Sequence, residues 1–262
     1  MNTVDLSLKM KRLTQWLDSQ RPPDRFIRKC FDSPPFGSCY VTIDPDRQAR
    51  FASGNMNRAY LCGAEPGMDS ESIRRIVDLF AEEGIGRFFI WLSPGPRMDV
   101  VRGWLEANGL KRVQWTGYPT LCRSVRSPVP FSTDLEVREV GADEIAATHE
   151  PPDQTIWPDY LRTAGREGFF HYMAFDGKRP VAIAALCIFE DIGYLMAAAT
   201  AESYRKRGAQ QALIALRIER AEALGCTIAV SETLYMLEHS YRNLQRAGFE
   251  VAYDKEVYEW SR

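Results

Sequence analysis

Residues 204–210 read Tyr204-Arg205-Lys206-Arg207-Gly208-Ala209-Gln210, and a helical run over 211–224 follows at once. Leu213, Leu216 and Leu224, with Ile214 and Ile218, give that run a broad apolar side for packing on a sheet. A basic, glycine-containing turn opening an amphipathic helix aims main-chain N–H groups and a positive helix end at an anion, a phosphate above all. Gly208 has no Cβ, so the backbone there can come close to such an anion. Arg205, Lys206 and Arg207 supply local positive charge that the chain of 262 residues, with a formal net charge of −2, does not. The plainer reading of the heptapeptide alone is a solvated basic turn before a surface helix, so its surroundings have to decide.

Upstream, 169–175, 180–189 and 192–200 read as three strands joined by Asp176-Gly177-Lys178 and Glu190-Asp191. The third ends Met196-Ala197-Ala198-Ala199-Thr200, and three alanines in a row are poor strand formers. Either a slender ligand or another backbone approaches them closely, or they pack tightly on helices. Downstream come a strand over 225–230, a helix over 239–247, the closing pair Gly248-Phe249 and a strand over 250–258. The first half repeats this order: a strand over 86–92, a helix over 97–108, Gly109-Leu110, and a strand over 112–122. Gly86 and Gly109 stand at the same separation as Gly225 and Gly248, and a helix precedes each unit, over 70–83 and 210–224. Further upstream, 38–43, the turn Asp44-Pro45-Asp46, 48–53 and 57–62 give a blurrier set of strands. Four elements in register predict a duplicated domain. The prolines of Arg126-Ser127-Pro128-Val129-Pro130 mark a boundary, and Leu135-Glu136-Val137-Arg138 starts a new strand, which predicts domains over 1–130 and 131–262.

Several function classes fall away. The six cysteines form no CxxC or CxxH, so no metal site is expected, and scattered reduced cysteines suit a cytoplasmic protein. Lys9, Lys11 and Arg12 interrupt the apolar pattern near the N-terminus, which is no secretory signal. No apolar stretch approaches the ~18 residues of a membrane span. One basic turn in a chain of this charge is too little for nucleic acid. There is no GxSxG, and Gly63-Ala64-Glu65-Pro66-Gly67-Met68-Asp69 lacks the lysine and hydroxyl of a P-loop.

With Arg205-x-x-Gly208-Ala209 at the turn and Arg246-Ala247-Gly248-Phe249 after the last helix, residues 131–262 resemble the GNAT superfamily of acyl-CoA-dependent N-acetyltransferases. The resemblance implies a mixed α/β fold of two tandem GNAT-like domains. Each would be a mostly antiparallel central sheet flanked by helices, the first a degenerate copy. It implies acetyl-CoA or coenzyme A as co-substrate and a small-molecule or peptide amine as acceptor, with direct attack of the amine on the thioester. A non-catalytic acyl-CoA-binding or scaffold protein is the alternative, and aminoacyl-transferring tandem members are a third reading. In the family, the turn, here Arg205, Lys206, Arg207, Gly208, Ala209 and Gln210, wraps the pyrophosphate with N–H groups. The strand end Ala198, Ala199 and Thr200 would hold the pantetheine arm, and a main-chain N–H there polarises the thioester carbonyl. A donor of that kind is commonly worth about 2.7–4 kcal/mol.

The pattern departs from the family in three places. Gln210 stands where many members have Gly or Ala. Leu244 stands four residues before Gly248, where many carry the tyrosine that protonates the leaving thiolate. Tyr241 lies one turn earlier, and Ser240 matches a branch that contacts the cofactor with a serine. A thiol of pKa ~8.5 is a tolerable leaving group at neutral pH, so an acid helps without being essential. In the first half, Gly67-Met68-Asp69-Ser70-Glu71 puts carboxylates where a pyrophosphate would sit and reads as an ordinary N-cap, so no second cofactor is expected. The candidate general bases are Glu232, Glu202, Glu190, His171 and His239. Glu232 is the first choice, because the family's fold sets the end of its strand across a splayed gap from the cofactor. His171, within a strand, is expected to be packed, and Trp157-Pro158 and Phe169-Phe170 read as core before acceptor pocket. Neither the acceptor nor the oligomeric state is written in the chain.

Overall fold

A computed structural model describes residues 2–20, 27–33, 37–46, 57–62, 68–114 and 117–262. Contacts divide the chain into two compact units, Met1–Tyr118 with Tyr253–Arg262, and Pro119–Ala252. The first starts with helix α1 (Thr3–Ser19), capped by the Asn2 side chain accepting the Asp5 N–H at 2.8 Å. Strands β1 (Ile27–Ser33), β2 (Gly37–Ile43) and β3 (Arg58–Cys62) form an antiparallel meander. Helix α2 (Ser70–Glu82) leads into β4 (Arg87–Ser93), which lies parallel to β3. Helix α3 (Met98–Ala107) and the short β5 (Lys111–Arg112) follow.

The second unit takes up β6 (Tyr118–Ser124) from Pro119, then β7 (Glu136–Val140) and the short helices α4 (Ala142–Ala146) and α5 (Trp157–Arg162). Its meander is β8 (Phe169–Asp176), β9 (Arg179–Phe189) and β10 (Ile192–Thr200). Helix α6 (Ala209–Ala223), β11 (Ile228–Glu232) parallel to β10, and α7 (Glu238–Arg246) complete it. The last strand, β12 (Glu250–Ser261), belongs from Tyr253 onward to the first unit and pairs with β4 and β5.

Within the first unit the strands run β1-β2-β3-β4-β12, and within the second β6-β11-β10-β9-β8-β7. Both are mostly antiparallel sheets flanked by helices, with one parallel pair each. The repeat read from the sequence is therefore a repeat of pairing: a three-strand meander, a helix, a parallel strand, and an antiparallel strand beyond it. That outer strand is β12 in the first unit and β6 in the second.

The compact units thus differ from the halves 1–130 and 131–262. The strand that closes the first half in sequence pairs with β11, from Glu232↔Thr120 to Ile228↔Ser124. The strand that closes the second half pairs with β4, from Glu256↔Leu92 to Ser261↔Arg87. Burial explains why the Pro128–Pro130 region is no linker: Val125, Val129 and Leu135 are buried in one cluster with Leu121, Leu213 and Phe249. The strand predicted over 112–122 is instead two, β5 and β6. The strand predicted over 48–53, the segment 63–67 and residues 115–116 lie outside the described residues. Helix α6 buries Leu213, Ile214 and Ile218 on its sheet as expected, whereas Leu224 is 41% exposed at the helix end.

Candidate functional site in the second unit

The site begins where two parallel strands part. β10 and β11 pair from Ile192↔Ile228 to Leu195↔Ser231. β10 then runs on to Thr200 while β11 ends at Glu232. The end of β11 follows β6: Glu232 is paired with Thr120, and the Thr233 N–H donates to Pro119 O at 3.4 Å. The end of β10 follows β9, across a bulge between Met196 and Ala199 where Ala197 takes a left-handed φ of 47°. At the point of parting, the Ser231 hydroxyl donates to Leu195 O at 3.1 Å. That bond satisfies a buried carbonyl at the place where the parallel ladder stops. The result is a wedge between strand ends with one edge of β10, from Met196 to Thr200, free of β11.

The alanine run makes sense in this setting. Ala197 and Ala199 pack against the cluster of Ile145, Tyr160 and Ile183, while Ala198 is exposed. The packing expectation is met by Ala197 and Ala199, and the small side chains also leave the outer edge of β10 unobstructed.

A single 3₁₀ turn, Glu202–Tyr204, links β10 to the basic turn. Lys206 and Gly208 both take left-handed backbone, with φ of 68° and 82°. Helix α6 starts at Gly208 with no side-chain cap and no acidic residue in its first turn. Its first N–H groups have no intrahelical partner by the geometry of a helix, so this end presents donors and a positive dipole. The Gln210 side chain donates to Thr200 Oγ1 at 2.7 Å and fastens the helix start to the end of β10. Glutamine here is a tether between two of the predicted site segments.

The structure corrects the reason for Gly208. A Cβ there would lie 2.0 Å from Ser132 O, so glycine is required by a neighbouring backbone as well as by its φ. The loop Ser132–Asp134 braces the turn. Thr133 Oγ1 donates to Arg207 O at 2.6 Å, and the Arg207 guanidinium is held by Asp134 and Asp176. Arg207 consequently braces the turn with its side chain, and the exposed cations are Arg205 and Lys206. Arg205 lies 3.8 Å from Glu202. Ser132, Thr133 and Asp134 lie far from the turn in sequence and carry no motif, so no sequence signal marked them.

Glu232 is the next residue after the last β10–β11 pair, and its Oε1 accepts from Thr120 Oγ1 at 2.8 Å. Ser240 and Tyr241 lie in the first turn of α7, which the Gln211 side chain ties to α6 through Asn243 O at 2.9 Å. The Tyr241 ring packs on the core and edge-on to Tyr235, with centroids 5.0 Å apart. Leu244 is buried in that core. Of the other base candidates, His171 is packed: its Nε2 lies 3.0 Å from Thr163 Oγ1 and 3.1 Å from Tyr160 O. Burial pushes its pKa down to about 4. His239 and Glu202 are exposed, and Glu190 occupies the left-handed position of the β9–β10 turn. Trp157 stacks on Tyr160 within the core, and Phe169 is buried. Among the described residues, no cluster of His, Cys, Asp and Glu has the makings of a metal site, and no helix is long and apolar enough to cross a membrane.

The first unit handles the same positions differently. Its parallel pair stays together from Arg58↔Phe89 to Cys62↔Ser93, the last residue of each strand. Helix α2 is closed by a capping box: the Ser72 N–H donates to Asp69 Oδ1 at 2.9 Å, and the Asp69 N–H to Ser72 Oγ at 3.1 Å. The Ser72 N–H holds the Asp69 carboxyl below the usual range.

Residues 137–249 match the model of the acetyltransferase (GNAT) family. Similar solved structures include a GCN5-related N-acetyltransferase from Kribbella flavida, at 17% identity and TM-score 0.61, covering 100% of this chain and 96% of that one. A tandem GNAT protein from the clavulanic acid biosynthesis pathway aligns at 11% identity and TM-score 0.62 over 94% of this chain and 86% of that one. A GCN5-related N-acetyltransferase from Sphaerobacter thermophilus aligns at 12% identity and TM-score 0.55, over 92% and 97%. At these identities the likeness is one of fold. No curated protein sequence matches the chain significantly.

Proposed function

We propose, because residues 137–249 match the model of the GNAT acetyltransferase family, that the second unit binds acetyl-CoA and passes the acetyl group to an amine by direct attack. The observation that carries this reading is the juxtaposition of an uncapped helix start with the free edge of a parted strand, the two fastened by Gln210 and Thr200. The N–H groups of residues 206–210, with the charges of Arg205 and Lys206, suit a pyrophosphate. The free edge over Ala198–Thr200 suits an extended amide-bearing arm, which can pair with backbone as a strand would. Glu232, at the mouth of the wedge and oriented by Thr120, takes the proton from the attacking amine. In the first turn of α7, Ser240 contacts the cofactor and Tyr241 serves the leaving thiolate. The acceptor is a small-molecule or peptide amine.

We propose further that the first unit holds no second cofactor, since its helix end is filled by its own Asp69. The halves 1–130 and 131–262 remain our proposal for the units of duplication, whose outer strands now complete the compact units described above.

The test is calorimetric titration of the whole chain with CoA. One CoA per chain is expected, and no binding would overturn the reading. Lys206→Glu removes one attraction and adds one repulsion, each of about 1 kcal/mol near ~4 Å in water, so affinity should fall about thirtyfold. For the base, a panel of polyamines and aminoglycosides supplies an acceptor. Glu232→Gln should then lower kcat/KM by ~10²-fold, more at neutral than at high pH. A second reading, CoA binding without turnover, is favoured by the buried Leu244 at the family's acid position. Turnover of acetyl-CoA with any amine excludes it.

A further inference from the structure

Helix α6 carries one residue that its apolar face does not explain. Arg217 is 2% exposed, among the most buried large side chains of the molecule. No carboxylate among the described residues pairs with it; the groups that act on its charge are the Tyr172 and Tyr160 hydroxyls. Its donors go to carbonyls instead. Nε donates to Leu213 O at 2.8 Å, and Nη1 to Ala185 O at 3.1 Å and Met196 O at 3.5 Å. Burial pushes its pKa down to about 9, which leaves it protonated at neutral pH. An apolar side chain of similar volume would pack in such a place without desolvating a charge. Something at the site must use the donors.

Ala185 and Met196 are the last regular pair of β9 and β10 before the bulge. The register then jumps to Ala199↔Ile183, so Ala197 and Ala198 together face the single residue Ala184. A bulge interrupts the ladder and leaves main-chain polar groups short of partners. The two carbonyls that Nη1 reaches are those of the pair that borders this interruption on one side. We infer that Arg217 is a positioning residue: its guanidinium bridges the carbonyls beside the bulge and fixes the course of Ala197–Thr200 away from β11, and so the edge offered to the pantetheine arm. This rests on the acyl-CoA reading for its ligand, while the bulge itself is independent of it.

The experiment compares the intact chain with Arg217→Met and Arg217→Lys. Amide hydrogen exchange is read at Ala197–Thr200 and, as reference, in α6. Calorimetry uses CoA and 3′-phospho-ADP, the nucleotide part of CoA without the arm. In Arg217→Met, exchange at 197–200 should quicken and CoA affinity fall, each about tenfold, while 3′-phospho-ADP stays within about twofold. Arg217→Lys, which keeps a cation but fewer donors, should fall between, and it carries the comparison if the methionine variant does not fold. Unchanged exchange at 197–200 overturns the inference. Equal weakening of both ligands also overturns it, since that is general loosening. Wild-type protein that binds no CoA sinks the acyl-CoA reading by itself, and exchange alone then decides the role of Arg217 at the bulge.

Discussion

Two glycines bracket helix α6, and replacing each by alanine separates two costs. Gly208 at its start and Gly225 just past its end have nearly the same backbone, with φ of 82° and 85°. An alanine in left-handed backbone costs about 1–2 kcal/mol at either place. The surroundings differ. At Gly225 a Cβ meets nothing within 4 Å, so the conformational cost is the whole cost. At Gly208 it would stand 2.0 Å from Ser132 O and 3.0 Å from Ser132 C. That backbone cannot step aside freely, because Thr133 and Asp134 both bond to Arg207. Overpacking of this kind adds about 1–3 kcal/mol. Gly208→Ala should therefore exceed Gly225→Ala by about 1–3 kcal/mol in urea unfolding of the intact chain.

Both glycines belong to the second unit, so both variants report on the same transition even if the units unfold separately. Tryptophan fluorescence and far-UV circular dichroism, fitted with a common m-value, give the difference directly. Equal losses in the two variants would refute the reasoning, because the contact with Ser132 would then carry no energy. The same contact makes any Gly208 substitution a poor probe of anion binding. A side chain there displaces the turn before it meets a phosphate, which is why the charge reversal is placed at Lys206.

His171 should stay neutral to about pH 4 by NMR; its folded pKa lies below the ordinary ~6.5, so stability is full above that value and about 3 kcal/mol is lost as pH falls through the window. The urea midpoint followed from pH 7 to 4 checks this, and a flat midpoint counts against a buried neutral ring. Arg102 holds Glu256 through two bonds, Nε to Oε2 at 3.0 Å and Nη2 to Oε1 at 2.6 Å, and lowers its pKa. Its stabilisation is present above the ordinary glutamate pKa and fades as pH falls. Glu256→Gln should cost about 1–2 kcal/mol at neutral pH, reduced because Arg102 is 34% exposed, and should flatten the acid limb of the first unit's unfolding curve. Asp69→Ala uncaps α2 but supplies nothing like the cations Arg205 and Lys206, so CoA stoichiometry should remain one per chain; a value of two would mean the open helix end alone makes the site.

What was legible in the chain is what local chemistry encodes. Gly208 and the basic residues around it announce a turn and a helix start, and both stand where they were read. The repeat was legible because strand and helix periods, with closing glycines, recur in one order. The partner of a strand is another matter. The pattern over 112–122 would suit either sheet, and only burial of Val125 and Val129 with the second unit's core assigns β6 to β11. The alanine run marked the end of β10 as unusual without announcing the bulge, and alanine has no taste for left-handed backbone, so the φ of Ala197 is imposed by tertiary structure. Arg217 was hidden for a related reason. On a helix, arginine reads as a solvent position, and nothing local says that its face lies under a broken ladder.

The two helix ends, α2 and α6, show how one topology can be set for or against an anion. Each helix follows the third strand of a meander and precedes the parallel strand. In α2, the side chain of Asp69 occupies the first-turn donors and brings a negative charge to the place where the dipole favours one. In α6 the same position is Gly208, which brings neither oxygen nor charge and leaves the donors to something outside the chain. In the first unit the residues that follow β3 lie outside the described ones, so the contrast between the units rests on the helix ends. The first-unit helix supplies its own carboxylate to its first turn. The start of α6 is uncapped and is fastened by Gln210 to the end of β10, whose edge is free of β11 after Leu195↔Ser231. An open helix start beside an open strand edge suits a ligand with an anionic end and an extended arm, whereas a self-capped start suits solvent.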